Sequence, residues 1–143
     1  MKPVHVLSGP NLGQLGAREP DVYGTLTYAQ LHERITQWAT SLGMAATVKQ
    51  TDSEPELIGW LHNAANDRFD VVLNPAAFTH FSYAIRDAAA MVTGSGARLV
   101  EVHLTNPATR EKFRHNSVIA GVATGTIAGF GADSYRLALE SLT

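Results

Sequence analysis

The segment DVVLN, residues 70–74, is the part of the sequence that decides the fold. Three consecutive apolar residues lie between an aspartate and an asparagine, and such a run is typical of a strand that is covered on both faces. Strands of this kind occur in parallel sheets, because the crossover connections between parallel strands place helices on both faces. The segment therefore predicts a central strand of an α/β sheet.

Segments with strand and helix patterns alternate on either side of this strand. Capping boxes are expected where Thr27 precedes Gln30 and where Ser53 precedes Glu56, and each supports a helix start. The predicted strands are 4–8, 45–51, 70–74, 98–104 and 125–130, and the predicted helices are 27–43, 53–67, 81–94 and 133–142. This order predicts one domain, residues 1–143, with a flavodoxin-like three-layer αβα sandwich and a five-stranded parallel sheet of order 2-1-3-4-5.

Composition limits the class of protein. The chain has 143 residues, no cysteine and a formal net charge of −2. The lack of cysteine excludes disulfides and thiolate metal sites, and the charge provides no basic surface for nucleic acid. No apolar run approaches the roughly 18 residues of a membrane span, and the first residues lack the pattern of a signal peptide. We therefore expect a cytoplasmic globular protein without nucleic-acid or membrane partners.

The long segment GPNLGQLGAREPDVYG, residues 9–24, follows the first predicted strand and has little helix or strand pattern. Loops in compact domains usually have about 4–6 residues, and longer ones are often functional. A tyrosine such as Tyr23 is a poor base at neutral pH, but a guanidinium such as that of Arg18 would favour its ionised form. Alternatively, Tyr23 only packs the loop and Arg18 is solvated.

Polar residues follow the other predicted strands. In open α/β sheets, ligands bind beyond the carboxyl ends of the strands; here Asn74 and His80 follow the third strand and His103 ends the fourth. A histidine exchanges protons near neutral pH. Glu101 lies two residues before His103, so both side chains point to one face of the strand and the carboxylate can orient the imidazole. The alternative is a histidine that makes one structural hydrogen bond.

The segment REKFRHNS, residues 110–117, adds further candidates. Arg110, Arg114 and His115 suit the carboxylate or hydroxyls of a small polar ligand, or they form a solvated face. His5 is expected to be a hydrogen-bonded histidine of the core. In GFGADS, residues 129–134, Ser134 stands at the third glycine of a dinucleotide loop, and metal-ligand motifs are lacking. We therefore expect neither a nucleotide cofactor nor a metal.

Five motifs in register resemble type II 3-dehydroquinate dehydratases, from about residue 4 to residue 139. They are GPNLGQLGAREPDVYG, QTDSE, LNPAAFTHFSYAIRDA, EVHLTN and REKFRHNS. The resemblance implies a flavodoxin-like enzyme, usually a dodecamer of trimers, that dehydrates 3-dehydroquinate to 3-dehydroshikimate without cofactor or metal. It implies a role in the shikimate pathway to aromatic amino acids or in quinate catabolism.

The same resemblance implies a role for each site residue. Tyr23, as a tyrosinate activated by Arg18, would remove the proton at C2, and Asn11 would stabilise the enolate through a water molecule. His103, oriented and charged by Glu101, would protonate the departing C1 hydroxyl. The implied binding residues are Asn74, His80 and Arg114 for the ring hydroxyls, Leu104 and Thr105 for the carboxylate, and Asp87 for the site of a neighbouring subunit.

Five residues depart from the usual pattern of this family. Ser8 stands where asparagine is usual, Thr105 where serine is usual, Phe81 where a small polar residue is usual, and Ala76 and Ser134 where glycine is usual. A positive φ at residue 76 would be costly without glycine. These departures leave two alternatives open: a paralogue acting on another cyclic polyol acid, and a non-catalytic flavodoxin-like module that binds a small metabolite or a protein. The proton-transfer residues are all present, which favours the enzyme.

Overall fold

The computed structural model describes residues 1–17 and 19–143, so Arg18 lies outside the described residues. Within these ranges, five strands form one sheet in which all neighbouring pairs are parallel. The strands are β1 Lys2–Ser8, β2 Met44–Gln50, β3 Asp70–Asn74, β4 Leu99–His103 and β5 Gly125–Ala128. The order is β2-β1-β3-β4-β5, which confirms the predicted topology.

Helices cover both faces of the sheet. They are α1 Pro20–Tyr23, α2 Tyr28–Ser41, α3 Glu54–Asp67, α4 Tyr83–Gly94 and α5 Asp133–Ser141. Successive side chains of a strand point to opposite faces, so Val6 packs with the buried residues of α2 and α5 while Leu7 packs with those of α3 and α4. In the described part of the chain, no helix has the length and apolar character that crossing a membrane requires.

Polar caps fix where the helices begin. At the start of α2, Thr27 Oγ1 accepts a hydrogen bond from Gln30 N at 3.1 Å, and Gln30 Oε1 accepts one from Thr27 N at 3.0 Å. This confirms the capping box. At α4, Ser82 Oγ accepts from Ile85 N at 3.0 Å. Because Ser82 is the cap, α4 begins at Tyr83, two residues later than predicted.

The segment after β1 is more regular than the sequence indicates. Leu12–Gln14 form a 3₁₀ turn, and Pro20–Tyr23 form the one-turn helix α1. Proline suits the first position of a helix, because it has no N–H to leave unpaired there. Positive φ angles of 69° at Asn11 and 77° at Gly24 turn the chain at both ends of the segment. The sequence predicts no helix in this segment, and this is wrong for Leu12–Gln14 and Pro20–Tyr23, since elements this short leave no periodicity.

His5 lies in β1 but differs from the hydrogen-bonded histidine that the sequence predicts. Its Nδ1 atom is buried and has no hydrogen-bond partner within the described residues. The His5 ring lies 5.6 Å from the ring of Phe69. Burial lowers the pKa of His5, and the positive charge of Lys49 lowers it further. The imidazole is therefore held in its neutral form.

Candidate active site

A pocket opens at the carboxyl ends of β1, β3 and β4, where parallel α/β sheets bind ligands. It encloses about 580 Å³, including its open mouth. Its lining residues come from the loop after β1, from α1 and from the segments after β3 and β4: Pro10, Asn11, Leu12, Tyr23, Asn74, Ala76, Ala77, His80, His103, Leu104, Thr105, Pro107, Arg110 and Arg114. The topology thus brings together most of the residues that the sequence identifies.

Glu101 and Asp87, both identified from the sequence, are not among the residues that line this pocket. Glu101 lies behind His103 in β4, and Asp87 is exposed on α4. Arg18 is outside the described residues. Among residues 1–17 and 19–143, no group of three or more histidine, aspartate or glutamate side chains is arranged to hold a metal ion.

His103 and Glu101 form a close pair at the end of β4. His103 Nε2 lies 2.6 Å from Glu101 Oε2, and the two side chains are 12% and 4% exposed. A carboxylate can only accept, so Nε2 carries the proton and donates it. Glu101 Oε1 accepts a second hydrogen bond, from Ser117 Oγ at 2.8 Å. Since Nε2 is engaged, Nδ1 is the ring nitrogen that remains for a ligand in the pocket.

Tyr23 is in direct contact with Arg110. Arg110 Nη1 donates a hydrogen bond to the Tyr23 hydroxyl at 2.8 Å, and the guanidinium carbon lies 5.1 Å from the ring centre. The same nitrogen is 3.4 Å from Thr105 Oγ1. A guanidinium that donates to a phenol oxygen places a positive charge directly beside it. The sequence identifies Arg110 only as one of several ligand-binding candidates, because the two residues are 87 positions apart and only the fold brings them together.

Arg114 lines the pocket, and Glu111 holds its guanidinium in place. Its Nε donates to Glu111 Oε2 at 2.7 Å, and its guanidinium carbon lies 4.6 Å from the centre of the Phe113 ring. The hydrogen bond from Arg114 lowers the pKa of Glu111, so the carboxylate stays ionised. His115, which the sequence also offers, does not line the pocket; its Nε2 bonds to the Arg110 carbonyl at 3.0 Å.

His80 is held as a neutral ring. Its Nδ1 lies 2.8 Å from the carbonyl oxygen of Asn116; a carbonyl can only accept, so Nδ1 is the protonated nitrogen. Burial lowers the pKa of His80, the hydrogen bond to Asn116 opposes this, and the charges of His103 and Arg114 lower it further. Nε2 is therefore an acceptor, suited to a hydroxyl group of a ligand.

Asn74 ends β3 and is fixed at both ends of its side chain. Its Oδ1 accepts from Ala76 N at 3.1 Å, and its Nδ2 donates to the Tyr135 hydroxyl at 3.0 Å. That hydroxyl is also 2.9 Å from Ser8 Oγ. Complete burial raises the pKa of Tyr135 to about 12, although its bonds to Ser8 and Asn74 act in the opposite direction. The phenol is therefore neutral, and nothing in the sequence motifs identifies it as part of the site.

Ala76 has the positive φ that is expected to be costly for a residue other than glycine. Its φ is 52°, in the left-handed region that favours glycine. The residue begins the short 3₁₀ helix Ala76–His80, which carries His80 to the pocket. The positive φ that would be costly without glycine is therefore present at this position.

Side chains of the motif QTDSE, residues 50–54, fix the turn that contains Asn11. The N–H of Asn11 donates to Asp52 Oδ1 at 2.9 Å, and Gln50 Nε2 donates to the Gly9 carbonyl and to Asp52 Oδ1, both at 3.1 Å. A Cβ atom at Gly13 would lie 2.8 Å from Gln50 Oε1, so a larger residue there would displace the Gln50 side chain. These contacts fix the left-handed conformation of Asn11.

The chain is similar to known proteins over nearly its whole length. A family model described as dehydroquinase class II matches residues 2–143. A 3-dehydroquinate dehydratase of Salinispora tropica is 57% identical over 139 residues, which are 97% of this chain and 95% of the relative. A type II dehydroquinase structure from Propionibacterium acnes has a TM-score of 0.96 at 49% identity and covers 99% of this chain and 96% of its own. One from Butyrivibrio crossotus has a TM-score of 0.94 at 38% identity, covering 99% and 97%.

Proposed function

The chain belongs to the dehydroquinase class II family and is a 3-dehydroquinate dehydratase, and from this premise we propose which residues perform the reaction. One observation carries the proposal: the pocket places a tyrosine bonded to a guanidinium and a histidine bonded to a carboxylate at separate positions of its wall. Two groups with opposite electrostatic partners suit a base and an acid in one reaction.

Tyr23 is the base in this proposal. As a tyrosinate it removes the proton at C2, beside the ketone of 3-dehydroquinate. Arg110 Nη1 donates a hydrogen bond to the phenol oxygen at 2.8 Å and so places a positive charge beside the base, and Arg18, by resemblance to the family, adds a second positive charge. The electron pair of the C2–H bond moves toward the ketone oxygen and gives an enolate.

Asn11 stabilises this enolate through a water molecule. Its left-handed backbone is fixed by Asp52 before the substrate binds, and preorganised donors are the usual means of stabilising an oxyanion. A fixed donor requires no reorganisation while the charge develops. The Asn11 side chain lies on the pocket wall with Tyr23 and His103.

His103 is the acid that completes the reaction. The enolate electrons form the C1–C2 double bond, the C1–O bond breaks, and its electron pair leaves with the oxygen. His103 donates a proton to that oxygen, so the leaving group is water and the ketone is restored. The buried carboxylate of Glu101 accepts from His103 Nε2 at 2.6 Å, which orients the imidazole and leaves Nδ1 for the leaving group.

Five further lining residues bind the substrate. Asn74, His80 and Arg114 hold the ring hydroxyls, supported by the bonds that fix each of these side chains. The backbone N–H groups of Leu104 and Thr105, with the Thr105 hydroxyl, hold the carboxylate.

We also propose that the protein assembles as a dodecamer of trimers, with Asp87 reaching a neighbouring site. Asp87 lies on α4 and is exposed. Three large side chains are also exposed, Phe81 by 58%, Tyr83 by 70% and Phe113 by 56%. Exposed apolar groups of this size often mark protein interfaces. Sedimentation velocity tests the assembly, and Asp87→Ala should lower activity without unfolding the subunit.

The pathway and the compartment are also proposals. The reaction serves the shikimate pathway to aromatic amino acids or quinate catabolism, and the enzyme works in the cytoplasm. The alternatives that the sequence leaves open, a paralogue for another cyclic polyol acid and a non-catalytic binding module, are less consistent with relatives that carry the dehydratase name at 57% identity.

The direct experiment is to add 3-dehydroquinate to chelator-treated protein and to follow the ultraviolet absorbance of the conjugated enone product. We expect a steady rise that falls to a small residual rate in Tyr23→Phe and in His103→Ala. Tyr28→Phe is the matched control, because the Tyr28 hydroxyl is buried outside the pocket and has no hydrogen-bond partner among the described residues. Full activity in Tyr23→Phe would refute the assignment of the base.

A further inference from the structure

Ser117 contacts the carboxylate that holds His103, the acid of the proposed mechanism. We propose that Ser117 is a positioning residue, which holds the Glu101 carboxylate and, through it, the His103 imidazole in the orientation for proton transfer. The inference rests on the proposed role of His103. Ser117 closes the motif REKFRHNS but does not line the pocket.

The first reason is the isolation of the Glu101 carboxylate. Its side chain is 4% exposed, so solvent does not satisfy its two oxygen atoms. Oε2 is bonded to His103 at 2.6 Å and Oε1 to Ser117 at 2.8 Å. A buried charge needs such partners to be stable. Without the hydroxyl, Oε1 would be left without its donor.

The second reason is that the Ser117 hydroxyl has a fixed direction. Its oxygen accepts from the backbone N–H groups of Ile119 at 3.1 Å and Ala120 at 3.0 Å. A serine hydroxyl has two lone pairs and one hydrogen. Both lone pairs are engaged, so the hydrogen is directed at Glu101.

The third reason is that the Ser117 segment is anchored in the protein interior. Ile119 is completely buried against α3 and α4, and Val118 N donates to the Thr79 carbonyl at 2.9 Å. Because the core fixes this segment, Ser117 holds the carboxylate in a fixed position. A displaced carboxylate would displace the imidazole that it holds.

The test is the separation of kcat from KM in Ser117→Ala. We expect kcat to fall about 10-fold, equivalent to about 1.4 kcal/mol, while KM changes by less than about twofold, because an acid acts in the transition state and the binding groups are unchanged. Ser117→Thr keeps the hydroxyl and should recover most of kcat. The low-field N–H proton signal of the His103–Glu101 pair should shift in Ser117→Ala.

Ser95 offers a matched control at the other end of the sheet. It is half-buried like Ser117, donates to the Val92 carbonyl at 2.6 Å and accepts from Ala97 N at 3.4 Å. Ser95→Ala should lower stability to a similar degree and leave kcat and the low-field signal unchanged. Equal losses of kcat in the two alanine variants would make the effect one of general stability and overturn the proposal.

A double-mutant cycle separates this inference from the proposed function. Adding Ser117→Ala to His103→Ala should cause no further loss of kcat, because the serine acts through the histidine. An equal further loss in that background would overturn the positioning role and leave the dehydratase mechanism intact. Full kcat in His103→Ala would refute the proposed acid, and this inference with it.

Discussion

Replacement of Ala76 by glycine should stabilise the protein. Ala76 has a φ of 52°, and an alanine in the left-handed region costs roughly 1–2 kcal/mol relative to a favourable conformation. Glycine adopts this conformation without the steric penalty of a Cβ atom. The substitution therefore removes strain from the segment that connects β3 to His80.

Two smaller effects oppose this gain. Glycine makes the unfolded chain more flexible, which costs about 0.4–1 kcal/mol. Ala76 is also partly buried against the core beside α2 and α5, so loss of its methyl group costs about 0.4 kcal/mol, half the value for a fully buried group. The expected net gain is about 0.5 kcal/mol, which raises the Tm of a domain of this size by about 1–2 °C.

The assay is urea denaturation of the wild type, Ala76→Gly and Ala77→Gly, followed by circular dichroism. Ala77 is the matched control because it lies in the same short helix and has no positive φ. Ala77→Gly makes the unfolded chain more flexible and relieves no strain. It should therefore lower the free energy of unfolding by about 0.5–1 kcal/mol. The two variants should differ by more than about 1 kcal/mol. Equal destabilisation by both substitutions would refute the reasoning that Ala76 is strained.

Three further substitutions test other parts of the structure. Tyr135→Phe leaves the Asn74 amide without its buried acceptor. We therefore expect a loss of about 1–3 kcal/mol of stability and a raised KM with a similar kcat. An unchanged KM in steady-state assays would count against this role of Tyr135. Burial raises the pKa of Asp70, but its hydrogen bonds to Arg98 and Lys2 outweigh this and lower the pKa below its ordinary 3.8. Its stabilising effect is therefore present above pH 3.8 and lost as the pH falls through the folded-state pKa, so the urea midpoint of Asp70→Asn should fall less steeply with acid than that of the wild type. The lowered pKa of His5 makes the folded state resist protonation, so stability falls as the pH drops below 6.5; His5→Leu should weaken this fall in urea titrations, and identical slopes would exclude the effect.

The fold could be predicted from the sequence where burial alone decides the pattern. The segment 70–74 is buried at every position and is found with its predicted bounds. The helices differ from prediction by one or two residues at most of their ends, because caps such as Ser82 fix the boundaries and apolar periodicity does not. Helix α1 was not predicted, since four residues show no period.

The candidate site was predictable to the extent that strand ends converge. The order of the strands places Asn74 and His103 at one edge, so the sequence and a topological rule suffice for them. The contact of Arg110 with Tyr23 depends on how two separate segments fold back over the pocket. Ser117 and Tyr135 do not line the pocket and act through other residues. The position of such a hydroxyl in the sequence does not distinguish it from other core residues.

The bond between Tyr135 and Asn74 makes the order of synthesis matter for this enzyme. Tyr135 belongs to α5, the last helix of the chain, whereas its partners lie in β1 and at the end of β3. During translation, the first strand and the central strand leave the ribosome well before the tyrosine that fixes Asn74. Until α5 has docked, the Asn74 amide therefore lacks the hydroxyl that fixes it in the folded protein.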